Sequence, residues 1–176
     1  MYLMTCTRPD LAYPLSLLAH YVAPDRHRKV QWDAAKRVLR YLCSTAGMGL
    51  VLGGRARVVL TGHADASWVD DLATQWSSQG YTFSLGSGSV SWRSTRSSSA
   101  MLALCQEHRL EHRTKHSSLH YFLARELQQR GQLRLAYVAS QANTADVFTK
   151  ALQPCDHQRF CSVLGLVPTV PHLLTS

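Results

Sequence analysis

Two isolated aspartates are the residues whose type and setting could do chemistry. Asp65 stands in Thr61-Gly62-His63-Ala64-Asp65-Ala66-Ser67-Trp68, directly after a stretch of extended pattern, and Asp146 stands in Asn143-Thr144-Ala145-Asp146 at the start of a helical one. An acid at a strand end among small residues is a common ligand for a hard divalent cation, because such ions take oxygen donors. The same Asp also makes turns, by bonding to nearby backbone N–H groups. An acid in the first turn of a helix, such as Asp146, gains a few tenths to about 1 kcal/mol from the helix dipole without any ligand. Local sequence leaves these alternatives open at both positions.

The distribution of charge adds to this. The carboxylates are Asp10, Asp25, Asp33, Asp65, Asp70, Asp71, Glu107, Glu111, Glu126, Asp146 and Asp156, so the 35 residues from Leu72 to Gln106 contain none. Against these 11 acids stand 19 Lys and Arg, a formal net charge of +8, which in a small chain favours polyanionic partners, nucleic acid first. Arg28, Lys29, Lys36, Arg37, Arg40, Arg93, Arg96, Arg109, Arg113 and Lys115 are the cations available to phosphates. His108, His112, His116 and His120 recur every fourth residue, a spacing that on a continuous helix would set neighbours on one face for zinc. Five cysteines with no close CxxC pair indicate neither a disulfide framework nor a zinc finger, and place the chain in a reducing, intracellular compartment. The start lacks a basic segment leading into an apolar core, so no secretory signal is expected. Apolar runs such as Val58-Val59-Leu60 fall far short of the roughly 18 residues that span a bilayer, so no membrane partner is expected.

The elements that must position these residues follow from periodicity. A helix is expected over Leu11–His20 after Arg8-Pro9-Asp10, and a stronger one over Val30–Cys43, with Trp32, Ala35, Val38, Leu39 and Leu42 on its apolar face and Lys36, Arg37 and Arg40 opposite. Beyond Gly53-Gly54 the pattern becomes extended. Strands are expected over Arg57–Thr61, Gly80–Leu85 and Ser89–Arg93, with a polar connection at Asp70–Ser78 and a Gly86-Ser87-Gly88 turn. Further on come a helix over Leu119–Arg130 ended by Gly131, a strand over Leu133–Val138, short helices over Thr144–Leu152 and Gln158–Leu164, and an irregular tail. The length suits one domain or one plus a subdomain.

Several motifs in order carry a family resemblance. They are Thr7-Arg8-Pro9-Asp10-Leu11-Ala12, Ala35-Lys36-Arg37-Val38-Leu39-Arg40-Tyr41-Leu42, Asp65-Ala66-Ser67-Trp68, Ser78-Gln79-Gly80-Tyr81-Thr82-Phe83, Val90-Ser91-Trp92-Arg93-Ser94, Arg113-Thr114-Lys115-His116 and Ala145-Asp146-Val147-Phe148-Thr149-Lys150. Together they resemble the C-terminal part of the Pol polyprotein of copia-type LTR retrotransposons, a connecting segment followed by a ribonuclease H domain. The resemblance implies an α/β, ribonuclease H-like fold, a mixed sheet with flanking helices. It divides the chain into a helical connection at 1–53, a truncated ribonuclease H-like domain at 54–166 and a tail at 167–176. It implies cleavage of RNA in RNA–DNA hybrids by four carboxylates holding two Mg²⁺ ions, with other Pol domains as further partners and a cytoplasmic virus-like particle or the nucleus as location. Asp65 matches the first acid and Asp146 the last, both as metal ligands and catalytic residues, and His116 matches a histidine thought to assist the reaction.

Two acids are missing. In the family, a Ser-rich run like Ser97-Ser98-Ser99 continues into a helix bearing a catalytic Glu, then a central strand ending in Asp, before residues like Ala100-Met101-Leu102-Ala103. Here Ser99 adjoins Ala100 directly, so the family's first catalytic helix and fourth strand are lost in a deletion of several dozen residues. The acid-free stretch is its footprint. Two carboxylates cannot fix two ions for in-line displacement, where about 1 Å of misplacement can cost 10²-fold, so this copy is expected to be catalytically dead. The sheet is expected to close by parallel pairing of Leu133–Val138 with Arg57–Thr61. The alternative function is a noncatalytic basic module holding nucleic acid, above all through Lys36, Arg37, Arg40, Arg93, Arg96, Arg113 and Lys115.

Overall fold

The structure, a computed structural model, describes residues 2–22, 29–53, 59–71, 76–98 and 126–169, with backbone alone at 68–71, 76 and 97–98. It is mixed α/β. Helix α1 (Tyr2–Cys6) leads through a 3₁₀ turn at Pro9–Leu11 into α2 (Ala12–Ala19), and α3 (Lys29–Ser44) follows. Pro9 opens the 3₁₀ turn and Pro14 falls in the first turn of α2, where a missing N–H costs nothing. A short strand β1 (Met48–Leu50) precedes three long ones, β2 (Leu60–Asp71), β3 (Trp76–Leu85) and β4 (Gly88–Ser98). Residues 126–129 are helical, and Gly131 at φ +69° ends them as expected, with Gln132 N–H donating to the Leu127 carbonyl at 2.9 Å. Two 3₁₀ turns (Ser140–Ala142, Thr144–Phe148), α4 (Pro154–Val163) and β5 (Leu166–Pro168) complete the described chain.

The strands β2-β3-β4 form an antiparallel meander in sequence order, and β1 pairs antiparallel with β5. Among the described residues both sheets are therefore antiparallel rather than mixed. The strands also run further than their alternation suggested. The described parts of the polar Asp70–Ser78 stretch, Asp70–Asp71 and Trp76–Ser78, are strand, with Ser77 and Ser78 buried against β4, so pairing and not hydrophobicity defines them. The expected strand at Leu133–Val138 does not form: Leu135 is 60% and Tyr137 94% exposed, and among the described residues, which exclude Arg57 and Val58 of the expected partner, β2 pairs only with β3. An alternating pattern makes a strand only where a face can be buried, and nothing described covers this segment. The expected helix at Thr144–Leu152 shortens to the 3₁₀ turn Thr144–Phe148. The tail begins in β5, whose register sets Gly49 opposite Val167, so the segment before residue 53 is hydrogen-bonded to the start of the tail.

The core gathers Ala12 of α2, Val147 and Phe148 of the second 3₁₀ turn and Leu164 after α4, with Trp92 and Leu152 packed against them. Trp92 Nε1–H donates to the Met4 carbonyl at 2.6 Å, and the Ser16 and Ser94 hydroxyls meet at 3.0 Å, so α1 and α2 are seated on β4. The apolar face expected on α3 is not buried as a whole, since Trp32 is 67% and Leu39 61% exposed.

A buried ion pair links the first turn to α3. Arg8 donates to Asp10 from Nε at 3.0 Å and from Nη2 at 2.7 Å, and both residues are buried. Arg8 Nη2 also reaches Thr45 Oγ1 at 2.7 Å, and the Tyr41 hydroxyl donates to Asp10 Oδ2 at 2.7 Å. Burial and the Asp10 charge push the Tyr41 hydroxyl well above its ordinary pKa. The His157 ring of α4 lies edge-on to Tyr41, with centroids 5.8 Å apart. Burial lowers the His157 pKa, partly offset by Asp10. Between the folded and the ordinary value of about 6.5, the unfolded chain binds the extra proton, so stability rises with pH there and is lost as pH falls. Denaturant unfolding is expected to show stability declining as pH drops below the ordinary histidine value, and His157→Gln to flatten that decline.

Candidate functional site

Asp65 lies within β2, not at a strand end, because β2 continues to Asp71. The register sets it opposite Gly80, with Ser94 of β4 next across the sheet. By alternation, positions 63, 65 and 67 share a face with 78, 80 and 82 and with 92, 94 and 96. Its centre is small and polar, with Ser78, Gly80, Thr82 and Ser94 all buried.

The 3₁₀ turn Thr144–Phe148 sits on this face. Asn143 caps it, its side-chain oxygen accepting from Ala145 N–H at 3.1 Å, while its Nδ2 donates to the Ala64 carbonyl at 3.2 Å. An added Cβ on Gly80 would stand 2.4 Å from Phe148 Cβ, so only glycine allows this approach. The Ser94 hydroxyl donates to the Phe148 carbonyl at 2.7 Å, and the Thr149 hydroxyl donates to Asp65 Oδ2 at 2.5 Å.

Asp65 and Asp146, distant in sequence, are thereby brought to one place. Asp146 is 2% exposed. Its Oδ2 accepts from Lys150 Nζ at 2.6 Å, its Oδ1 is buried and makes no hydrogen bond of normal geometry, and the Ser140 hydroxyl lies near enough to favour the charged carboxylate. Burial raises the Asp146 pKa, against the opposing pull of the Lys150 hydrogen bond and with the Asp65 charge adding to the rise. Asn143, Gly80, Thr149 and Lys150 escaped the reading of chemistry from the sequence. The one local signal was Asn143, an N-cap residue type placed directly before Thr144.

Among the described residues no group of three or more His, Cys, Asp and Glu is placed to hold a metal ion. A two-ion magnesium centre needs more carboxylates than this pair, and one oxygen of the pair already faces an ammonium. The donor set among the described residues does not fit such a centre. His116, Arg113 and Lys115 lie outside the described residues, as do Glu107, Glu111, the other members of the histidine series, Arg28 and Arg109.

The remaining candidate cations fall into a set on α3, where Lys36, Arg37 and Arg40 all act to lower the Asp33 pKa, the Lys36 hydrogen bond most of all, and a set on β4. Arg93 and Arg96 point to opposite faces of β4 by strand alternation. Arg96 shares with Arg37 a groove of about 520 Å³ between α2 and α3, lined also by Tyr13, Leu17 and Val38. Lys36 and Arg40 line a different hollow of α3 with Leu39 and Cys43, and Lys36 is paired with Asp33 at 2.8 Å.

Comparison with known proteins gives the family. The chain is 39% identical over 107 residues, 61% of its length and 74% of the relative's, to secreted RxLR effector protein 161 of Plasmopara viticola. It is 38% identical over 94 residues to the retrovirus-related Pol polyprotein from transposon TNT 1-94 of Nicotiana tabacum, covering 53% of this chain and 7% of that one. With the Pol polyprotein from transposon RE2 of Arabidopsis thaliana it shares 28% identity across 94% of this chain and 14% of the polyprotein. The chain belongs to the retrovirus-related Pol proteins of copia-type transposons, and it spans a small fraction of the whole polyproteins' length. The RE2 alignment runs over 212 positions, more than the 176 residues of this chain, so several dozen positions there have no counterpart here, in keeping with an internal deletion. No family model matches the chain, and no solved structure does. No helix among the described residues is long and apolar enough to cross a membrane.

Replacing Gly80 by Ala is expected to lift the Thr144–Phe148 turn from the sheet and to destabilise the protein by about 1–3 kcal/mol, the usual cost of overpacking. Gly47→Ala, where a Cβ meets nothing within 4 Å, is the matched control and is expected to change the unfolding midpoint little.

Proposed function

We propose that this chain is the remnant of a ribonuclease H region from a copia-type Pol polyprotein, and that it no longer cleaves RNA. The observation that carries this reading is the convergence of Asp65 and Asp146 through Thr149, with no third carboxylate beside them among the described residues. In the family the first and last acids belong to one site, and the β2-β3-β4 meander with Asp65 on its first strand supports the same assignment.

Magnesium, where the family uses it, polarises the scissile phosphate and activates water. Here Asp146 would offer its buried Oδ1, and Asp65 the carboxylate oxygen that Thr149 leaves free, which is too small a set to align two ions. No hydrolytic step is derived for this chain. What its residues do is fasten the turn to the sheet: Thr149 holds Asp65, Lys150 neutralises Asp146, and Asn143 ties the cap to β2.

A second reading, a basic module that holds nucleic acid without cleaving it, is supported by the net charge of +8. The described cations gather on α3, where Lys36, Arg37 and Arg40 all act on Asp33, and on the two faces of β4, and phosphate contacts carry no sequence information, so this reading predicts sequence-independent affinity. Incubated with Mg²⁺ and the protein, an RNA–DNA hybrid is expected to stay intact, while any retention of the hybrid weakens as salt rises, because contacts that neutralise phosphates release counterions. Cleavage that disappears in Asp65→Asn is the result that overturns the proposal.

A further inference from the structure

We infer that Lys150 is the resident cation of the Asp65–Asp146 pair and closes it to divalent metal. This rests on the reading of those two acids as the retained pair and goes beyond the proposed loss of cleavage. The Asp146 carboxylate is 3% exposed, a setting in which an anion must find a cation or lose its charge. Lys150 Nζ stands 2.6 Å from Oδ2, and the lysine side chain is 39% exposed, so the ammonium reaches in from a stem that lies partly in solvent.

The backbone makes this pairing part of the turn. Thr149 and Lys150 N–H both donate to the Asp146 carbonyl at 3.2 Å, which wraps the chain so that consecutive residues serve the two acids: Thr149 bonds Asp65 and Lys150 bonds Asp146. A tethered ammonium has a high local concentration at the carboxylate. A magnesium ion must displace it, and must also shed waters that it releases reluctantly. The buried Asp146 Oδ1 marks the place where an ion would enter once the lysine charge is gone.

The test is thermal unfolding of the full chain in millimolar MgCl₂ against NaCl of matched ionic strength. The unsubstituted protein is expected to show no Mg²⁺-specific shift in Tm. Lys150→Met, which keeps the stem but not the charge, is expected to have a lower Tm that Mg²⁺ raises progressively with concentration, as a ligand bound only to the folded state does. Asp146→Asn with Lys150→Met is expected to lose that response. Lys150→Arg, which retains a cation and guards against a Met variant that does not fold, is expected to remain insensitive. A Mg²⁺-specific rise in the unsubstituted protein or in Lys150→Arg overturns the inference, as does a folded Lys150→Met variant that Mg²⁺ leaves unchanged. Hybrid cleavage is read separately on the same samples: cleavage by the unsubstituted protein defeats the proposed function, whereas the Tm response decides the role of Lys150.

Discussion

The absence of a side chain at position 80 is the constraint on which the site depends. Gly80 lies opposite Asp65 in the register of β2 and β3, and Phe148 occupies the space a Cβ would take. That close approach brings the Thr144–Phe148 turn within reach of Asp65 and Ser94, so that Thr149 and the Phe148 carbonyl complete hydrogen bonds to both strands. Removing the contact would not cost one interaction but several, because the core residues Val147 and Phe148 are delivered by the same turn. A charge-assisted hydrogen bond such as that from Thr149 to Asp65 contributes about 1.5–3 kcal/mol where it is kept from water.

A second fastening serves the N-terminal segment. Arg8, Asp10, Tyr41 and Thr45 satisfy one another in a largely buried cluster, which ties the C-terminal end of α3 to the first turn. Such a cluster adds little net stability over an apolar one, yet breaking it by removing one partner typically costs about 3–5 kcal/mol. The two fastenings meet at α4, since His157 touches Tyr41 and Leu164, just beyond the helix, belongs to the core beneath the turn.

Local pattern made α3, the Gly86–Gly88 hairpin and the stop at Gly131 legible, because each depends on neighbours in sequence: a helical period, a turn dipeptide, a left-handed glycine. The resemblance of whole motifs made Asp65 and Asp146 legible as a pair, which neither residue's surroundings could do. What was not legible depends on packing. The Ser77–Ser78 stretch is strand because β4 lies beside it, not because it is apolar. The Leu133–Val138 stretch alternates correctly and yet forms no strand, because the partner that would bury it is absent from the described fold. Trp32 and Leu39 satisfy the helical period of α3 but remain largely exposed. The roles of Thr149 and Lys150 follow from a turn whose path is set by a glycine on a distant strand.

β2 and the Thr144–Phe148 turn are joined through Asp65 and Thr149 into one site. A double-mutant cycle on unfolding stability with Asp65→Ala and Thr149→Val measures that joint directly. The predicted result is a coupling energy of about 1 kcal/mol or more, within the range seen for residues in direct contact. Effects that add to within about 0.3–0.5 kcal/mol, the behaviour of independent sites, would contradict the account.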